Sequence, residues 1–159
     1  MTALAEMGTL REILVRPAST SDRALLRAMY EGFEPRPASL GLPPRQGLDQ
    51  WLEKLNGTVD FVAVSGGEVV GHAVLCPDGD AGEVAVFVRQ EYRVQGIGSR
   101  LLKTVVEEAR RLGLRIVWGM TERDNVPMLR LAHGVGFEQD EKDPYRFQMN
   151  LKPDLGLGG

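Results

Sequence analysis

Apolar and polar residues alternate over short runs in much of the chain, and near the middle they switch to a helical period. Glu12 to Arg16 predicts a first strand, stopped by Pro17. Ser19 to Asp22 offers a cap for a helix whose apolar positions Leu25, Leu26 and Met29 fall at helical spacing. A proline- and glycine-rich stretch, Pro35 to Gly47, precedes a short helix near Leu48 to Leu55. Asp60 to Ser65 and Val69 to Cys76 read as strands joined at Gly66-Gly67, because paired glycines suit the tight turn of a hairpin. A third strand of this group, Glu83 to Val88, leads through a polar loop into a helix from about Gly98 to Leu112. Leu101, Leu102, Val105, Val106 and Ala109 form its apolar stripe and Gly113 ends it. Leu114 to Met120 predicts another strand. Asn125 caps a helix with Pro127 in its first turn, running to about Gly134, and a last strand lies around Tyr145 to Leu151. This order predicts an α/β fold with a mixed sheet, antiparallel in its first half and with one parallel crossover in the middle.

A chain of 159 residues is long enough for one domain with one substantial core. We expect it over residues 11–152. Residues 1–10 and 153–159 lack a periodic apolar face and read as a flexible leader and tail. A net charge of only −3 gives no basic face for nucleic acid or a membrane surface. The apolar runs fall short of a ~20-residue membrane span, and the first residues lack the order of a secretory signal. Cys76 is the single cysteine, so no intramolecular disulfide can form, which suits the cytoplasm. One cysteine and two separated histidines, His72 and His133, supply no metal-ligand cluster.

The segment with chemical content runs from Glu83 to Val88 and then Arg93-Val94-Gln95-Gly96-Ile97-Gly98-Ser99. A strand passes into glycines that open a helix. The first-turn amides of a helix have no intrahelical partners, and with the positive end of the helix dipole they make an anion site. Glycines that merely let a turn pack closely are the plainer reading. A dinucleotide fold asks for a third glycine, where Leu101 stands, and a nucleotide-hydrolase loop asks for Gly-Lys-Ser/Thr, which is missing. Arg-x-x-Gly-x-Gly between a strand and an amphipathic helix instead resembles the coenzyme A pyrophosphate motif of the GNAT superfamily of N-acyltransferases. Asn125-Val126-Pro127-Met128, Leu131 and Gly136-Phe137 resemble a second block of these enzymes, and Val15-Arg16-Pro17 with Asp22 and Leu26 their opening strand and helix. The likeness spans roughly residues 12–150. In finer detail the sequence looks like the acyltransferase domain of bacterial Pat-type protein lysine acetyltransferases.

That resemblance implies a sheet of about six to seven strands flanked by about four helices, and acetyl-CoA as co-substrate without a metal. It places the pyrophosphate on Arg93 to Ser99, backbone contacts to the pantetheine at Val86 and Val88, and the helix of Asn125 and Met128 beside the thiol. It implies an amine acceptor, among them a protein lysine, and is compatible with a homodimer. It gives Glu83, ten positions before Arg93, the role of general base. A carboxylate beside an apolar strand would lose solvation and hold a proton more readily. A solvated glutamate paired with a nearby cation is the plainer reading. The tyrosine that many of these enzymes use as general acid falls on Ala132, and the adjacent His133 should point about 100° away on the helix. A thiolate leaves without such an acid.

Alternation places His72 on one strand face with Val70, Val74 and Cys76, as a half-buried structural histidine, and Cys76 reads as a packing residue. Tyr30, Phe33 and Trp51 read as core aromatics near the region that closes over the acceptor in this superfamily. Glu31, Glu34, Asp78 and Asp80 read as solvated charges that could form an acidic rim. Two other functions fit: a non-catalytic acyl-CoA-binding module, and an enzyme acting on a small amine or a protein N-terminus. Arg93 precedes the amide cradle and assists rather than creates it. Arg93→Ala should therefore weaken coenzyme A binding by about 1–2 kcal/mol in calorimetry, and a loss of several orders of magnitude would show the side chain to be the principal contact.

Overall fold

Gly66 and Gly67 form a turn with φ of 57° and 80°, and the strands on either side of it begin the sheet's central hairpin. The computed structural model describes residues 12–31, 48–55, 58–92 and 96–151. The expected leader and tail, Phe33, Glu34 and the Arg93-Val94-Gln95 segment lie outside them. The strands are β1 (Leu14–Pro17), β2 (Val59–Ser65), β3 (Glu68–Asp78), β4 (Ala81–Val88), β5 (Ile116–Met120), β6 (Glu138–Gln139) and β7 (Arg146–Asn150). The helices are α1 (Arg23–Glu31), entered through a 3₁₀ turn at Thr20–Asp22, α2 (Leu48–Lys54), α3 (Ile97–Arg111) and α4 (Val126–Val135). The seven strands form one sheet in the order β1-β2-β3-β4-β5-β7-β6. Only β4–β5 is parallel; the other neighbours pair antiparallel. The predicted elements thus stand within a few residues of their expected bounds. The two-residue β6 was not foreseen.

The sheet is covered unequally. On one face α3 and α4 bury Leu101, Leu102, Val105 and Met128 against Val84, Val86, Val88 and Val117. On the other, α1 and α2 bury Leu26, Met29, Tyr30 and Leu52 against Val62, Val69 and Phe87. Each such aliphatic side chain gains on the order of 1.5–3 kcal/mol from leaving water. Strict alternation fails at one place in β3. The register slips between Ala63 and Val64, so Ala63 pairs with Gly71 and Val64 with Val69. Val70 is the extra residue of this bulge and joins the α3 cluster, away from His72 rather than beside it.

Entry into α1 is fixed by charge. The Arg16 guanidinium donates to both carboxylate oxygens of Asp22, at 2.8 and 2.7 Å. The Ser19 amide donates to the same carboxylate at 2.8 Å, which completes the cap read from the sequence. The Arg16 hydrogen bonds, ahead of the smaller Ser19 contribution, hold the Asp22 carboxyl down at about 2. A folded-state value below the unfolded one means that the unfolded chain takes the proton first, so this stabilisation is present above about pH 4 and lost as the pH falls toward 2. Asp22→Asn should cost about 1–3 kcal/mol at neutral pH, as for hydrogen bonds to a charged group, and should flatten the acid limb between pH 4 and 2 in denaturant titrations. An unchanged acid limb would show that the pair does not couple to folding.

Candidate active site

β4 and β5 pair only at Ala81↔Ile116, Gly82↔Val117 and Glu83↔Trp118, although β4 continues to Val88 and β5 to Met120. At the point of parting Gly119 fits where nothing larger would. A Cβ there would lie 2.8 Å from Phe147 Cζ and 3.1 Å from the Val84 carbonyl oxygen. Val86 and Val88 pair with Ala73 and Gly71 of β3 and bury their side chains under α3, so any contact they make in the gap is through backbone. The gap opens toward the glycine turn.

The two glycines of that turn do different work. Gly96 is the N-cap of α3 with φ 79° and ψ 6°, a left-handed conformation that a side chain resists, and a Cβ there would meet nothing within 4 Å. Its outer side is open, as an approaching anion requires. Gly98 is buried, and a Cβ would come within 2.6 Å of Leu131 Cδ1, so it serves the close approach of α3 to α4. Ile97 is buried in the core and Ser99 half-buried, which leaves the first-turn amides of residues 97–99 as the groups that fit a pyrophosphate. Arg93, Val94 and Gln95 fall outside the described residues.

Asn125 caps α4 and is buried. Its Oδ1 accepts from the Met128 amide at 3.4 Å, and its Nδ2 donates to Thr121 Oγ1 at 3.0 Å. Met128 is a core residue. These two therefore orient α4 from within. Ala132 is buried where the superfamily tyrosine would stand, and His133 is exposed, as its helical position predicts.

Glu83 is exposed. The desolvation expected of a carboxylate beside an apolar strand is not met at this position. Register brings Cys76, Glu83, Trp118 and Gln148 into one row across β3, β4, β5 and β7. The residues flanking this row along each strand, Leu75, Val84, Val117 and Phe147, are buried on the α3–α4 side, so the row lines the opposite face. Cys76 is exposed there and not a packing residue. Burial of its thiol, then the negative charges of Glu83 and Asp60, push the thiol upward. Arg146, also on this face, sets its guanidinium 4.6 Å over the Trp118 ring. Trp118, Gln148 and Arg146 escaped the sequence reading. Alternation within β5 and β7 shows which residues share a face, but not which strands lie next to Glu83.

His72, expected to be half-buried, is wholly buried. Tyr30 Oη lies 2.6 Å from its Nδ1 and Asp60 Oδ2 lies 2.8 Å from its Nε2. A carboxylate can only accept, so Nε2–H donates to Asp60 and Nδ1 accepts from the Tyr30 hydroxyl. Burial, reinforced by the Asp60 charge, raises the Tyr30 phenol well above its usual range and keeps it a donor. Trp51 and Phe87 pack edge-on around this chain, which confirms Tyr30 and Trp51 as core aromatics. Glu31, Asp78 and Asp80 are exposed, as expected of solvated charges. Among the described residues no three His, Cys, Asp or Glu side chains are grouped to hold a metal ion, and no helix is long and apolar enough to cross a membrane.

Known proteins share both the sequence and the fold. The chain is 35% identical over 78 residues to L-methionine sulfoximine/L-methionine sulfone acetyltransferase of Pseudomonas aeruginosa, covering 45% of each. It thus spans less than half of the length of the curated relatives it matches. The ribosomal-protein-alanine N-acetyltransferase of Brucella melitensis superposes with a TM-score of 0.71 at 28% identity, over 87% of this chain and 99% of that one. The GNAT domain of S. lividans PAT superposes with a TM-score of 0.74, over 86% of this chain and 89% of that one, but at 22% identity the likeness is of fold alone and says nothing of the acceptor. Residues 24–137 match the Acetyltransferase (GNAT) family. That match covers more than two thirds of the chain and agrees with the parted central strands and the glycine-capped helix, so the chain belongs to the acetyltransferase (GNAT) family.

Proposed function

We propose that the protein transfers the acetyl group of acetyl-CoA directly to a primary amine, with Glu83 as the base that takes the amine's proton. The observation that carries this reading is position: Glu83 is exposed at the last pair before β4 and β5 part. The open side of Gly96 and the amides of residues 97–99, with Arg93, Val94 and Gln95 before them, suit the coenzyme's pyrophosphate. The backbone of Val86 and Val88 would hold the pantetheine, and α4, oriented by Asn125 and Met128, would flank the thioester. The amine nitrogen forms the new C–N bond as the thioester's C–S bond breaks, its proton passes to Glu83, and the thiolate leaves without a tyrosine acid.

Two acceptor classes have support. The sequence likeness to Pat-type enzymes favours a protein lysine. The matched relatives, named for acetylating L-methionine sulfoximine and sulfone, favour a small amino-acid-like amine. A reducing cytoplasm suits the single thiol. A screen of acetyl-CoA consumption against amines, amino acids and lysine peptides decides between the classes.

Gly96→Glu places bulk and negative charge where the phosphate belongs, so a folded variant should lose most of its affinity for acetyl-CoA in calorimetry. Retained affinity would remove the pyrophosphate from this turn. Glu83→Gln keeps shape and hydrogen bonding but not the base. Coenzyme binding should hold while kcat falls by roughly 10²–10⁴ in thiol-release assays. A variant that turns over at the native rate would make Glu83 a structural strand residue and leave deprotonation to water.

A further inference from the structure

We propose that Arg146 is the anion receptor of the acceptor site, and that the preferred acceptor is an amine that also carries a carboxylate. The proposal rests on acetyl transfer at the Glu83 floor and names the class of molecule that this floor reads. Arg146 stands on β7 opposite Met120, two residues before Gln148, on the face that holds Glu83 and Trp118. Its guanidinium leans back over the indole at 4.6 Å, from β7 toward β4. The Nε donates to Gln148 Oε1 at 3.1 Å and lies 3.9 Å from Asp140 Oδ2. Both of these contacts use the same nitrogen. Among the described residues the two terminal nitrogens have no hydrogen-bond partner, and the side chain remains 30% exposed.

This is the arrangement a carboxylate needs. The guanidinium is held over the indole, the base of the fork is tethered, and its two terminal nitrogens are left to donate. Glu83 lies one strand, ~4.8 Å, to the other side of Trp118. The floor therefore presents an anion at Glu83 and, over the neighbouring indole, a cation. Its complement is an ammonium with an anionic group a few bonds away. A polyamine or a neutral amine would leave the fork unanswered.

The test compares acceptors in matched pairs that differ only in the carboxylate: phenylalanine with phenethylamine, methionine with 3-(methylthio)propylamine, γ-aminobutyrate with propylamine. The native protein should favour the carboxylate member by ten- to a hundredfold in kcat/KM, the range of a charge-assisted bidentate contact. Arg146→Gln should raise KM for that member and bring each pair within about threefold, while the carboxylate-free amines stay near their native rates. Arg146→Lys, which keeps charge but not the fork, should fall between. Equal native rates, a preference for the carboxylate-free member, or an Arg146→Gln variant that slows both members alike would each overturn the proposal. Where no pair turns over, the carboxylate members are titrated against coenzyme A-bound protein by tryptophan fluorescence, since Trp118 lies under the guanidinium. A response in the native protein that Arg146→Gln lacks supports the receptor, and no native response overturns it. Glu83→Gln separates the two readings: it should lower kcat for both members of a pair equally, and full activity there would refute the base while leaving the Arg146 ratio to stand or fall by itself.

Discussion

Two parallel strands hold each other for three residue pairs and then separate, and the rest of the molecule is arranged around that separation. Separating strands give up ladder hydrogen bonds, so the sheet must be held firmly elsewhere. β4 is anchored along its whole length by β3, and β5 along its whole length by β7. Gly119 lets β5 sit hard against Val84 and Phe147 at the fork. Beyond it, α3 and α4 meet closely at Gly98 and Leu131 and span the gap from one side. The opening is thus a built feature of a tightly packed frame and not a weakness in the sheet.

Among the described residues, α1 and α2 cover the other side of the sheet over β2, β3 and the far half of β4. There the cover is held by more than apolar contact. Tyr30 from α1, His72 from β3 and Asp60 from β2 make one hydrogen-bonded chain, with Tyr30 and His72 buried and Asp60 partly so. Such a chain admits few rearrangements, since displacing any member strands a buried donor or acceptor. It ties α1 to β2 and β3.

What was legible in the sequence was local. Caps, the Gly66-Gly67 hairpin, the stripe of α3 and the glycine turn all depend on residues close in the chain, and each stands where its chemistry placed it. What was hidden depends on register. The bulge at Val70 arises from a slip against Ala63 and Val64, which no pattern in β3 alone encodes. The burial of His72 needed a tyrosine 42 residues away, and the exposure of Glu83 and Cys76 needed to know how far α1 and α2 reach. Trp118 and Arg146 became neighbours of Glu83 only through pairings across three strands. β6 is two residues whose strand character comes wholly from β7.

Cys76 sits directly across from Glu83, one strand spacing from the site proposed for an activated thioester. Thioesters exchange readily with thiolates, so a sulfur in this position invites self-acylation of the protein. Partial burial and the charges of Glu83 and Asp60 keep that sulfur protonated, and the protonated thiol is a poor nucleophile. Burial and the neighbouring carboxylates thus work in the same direction, against capture of an acyl group by the protein's own sulfur.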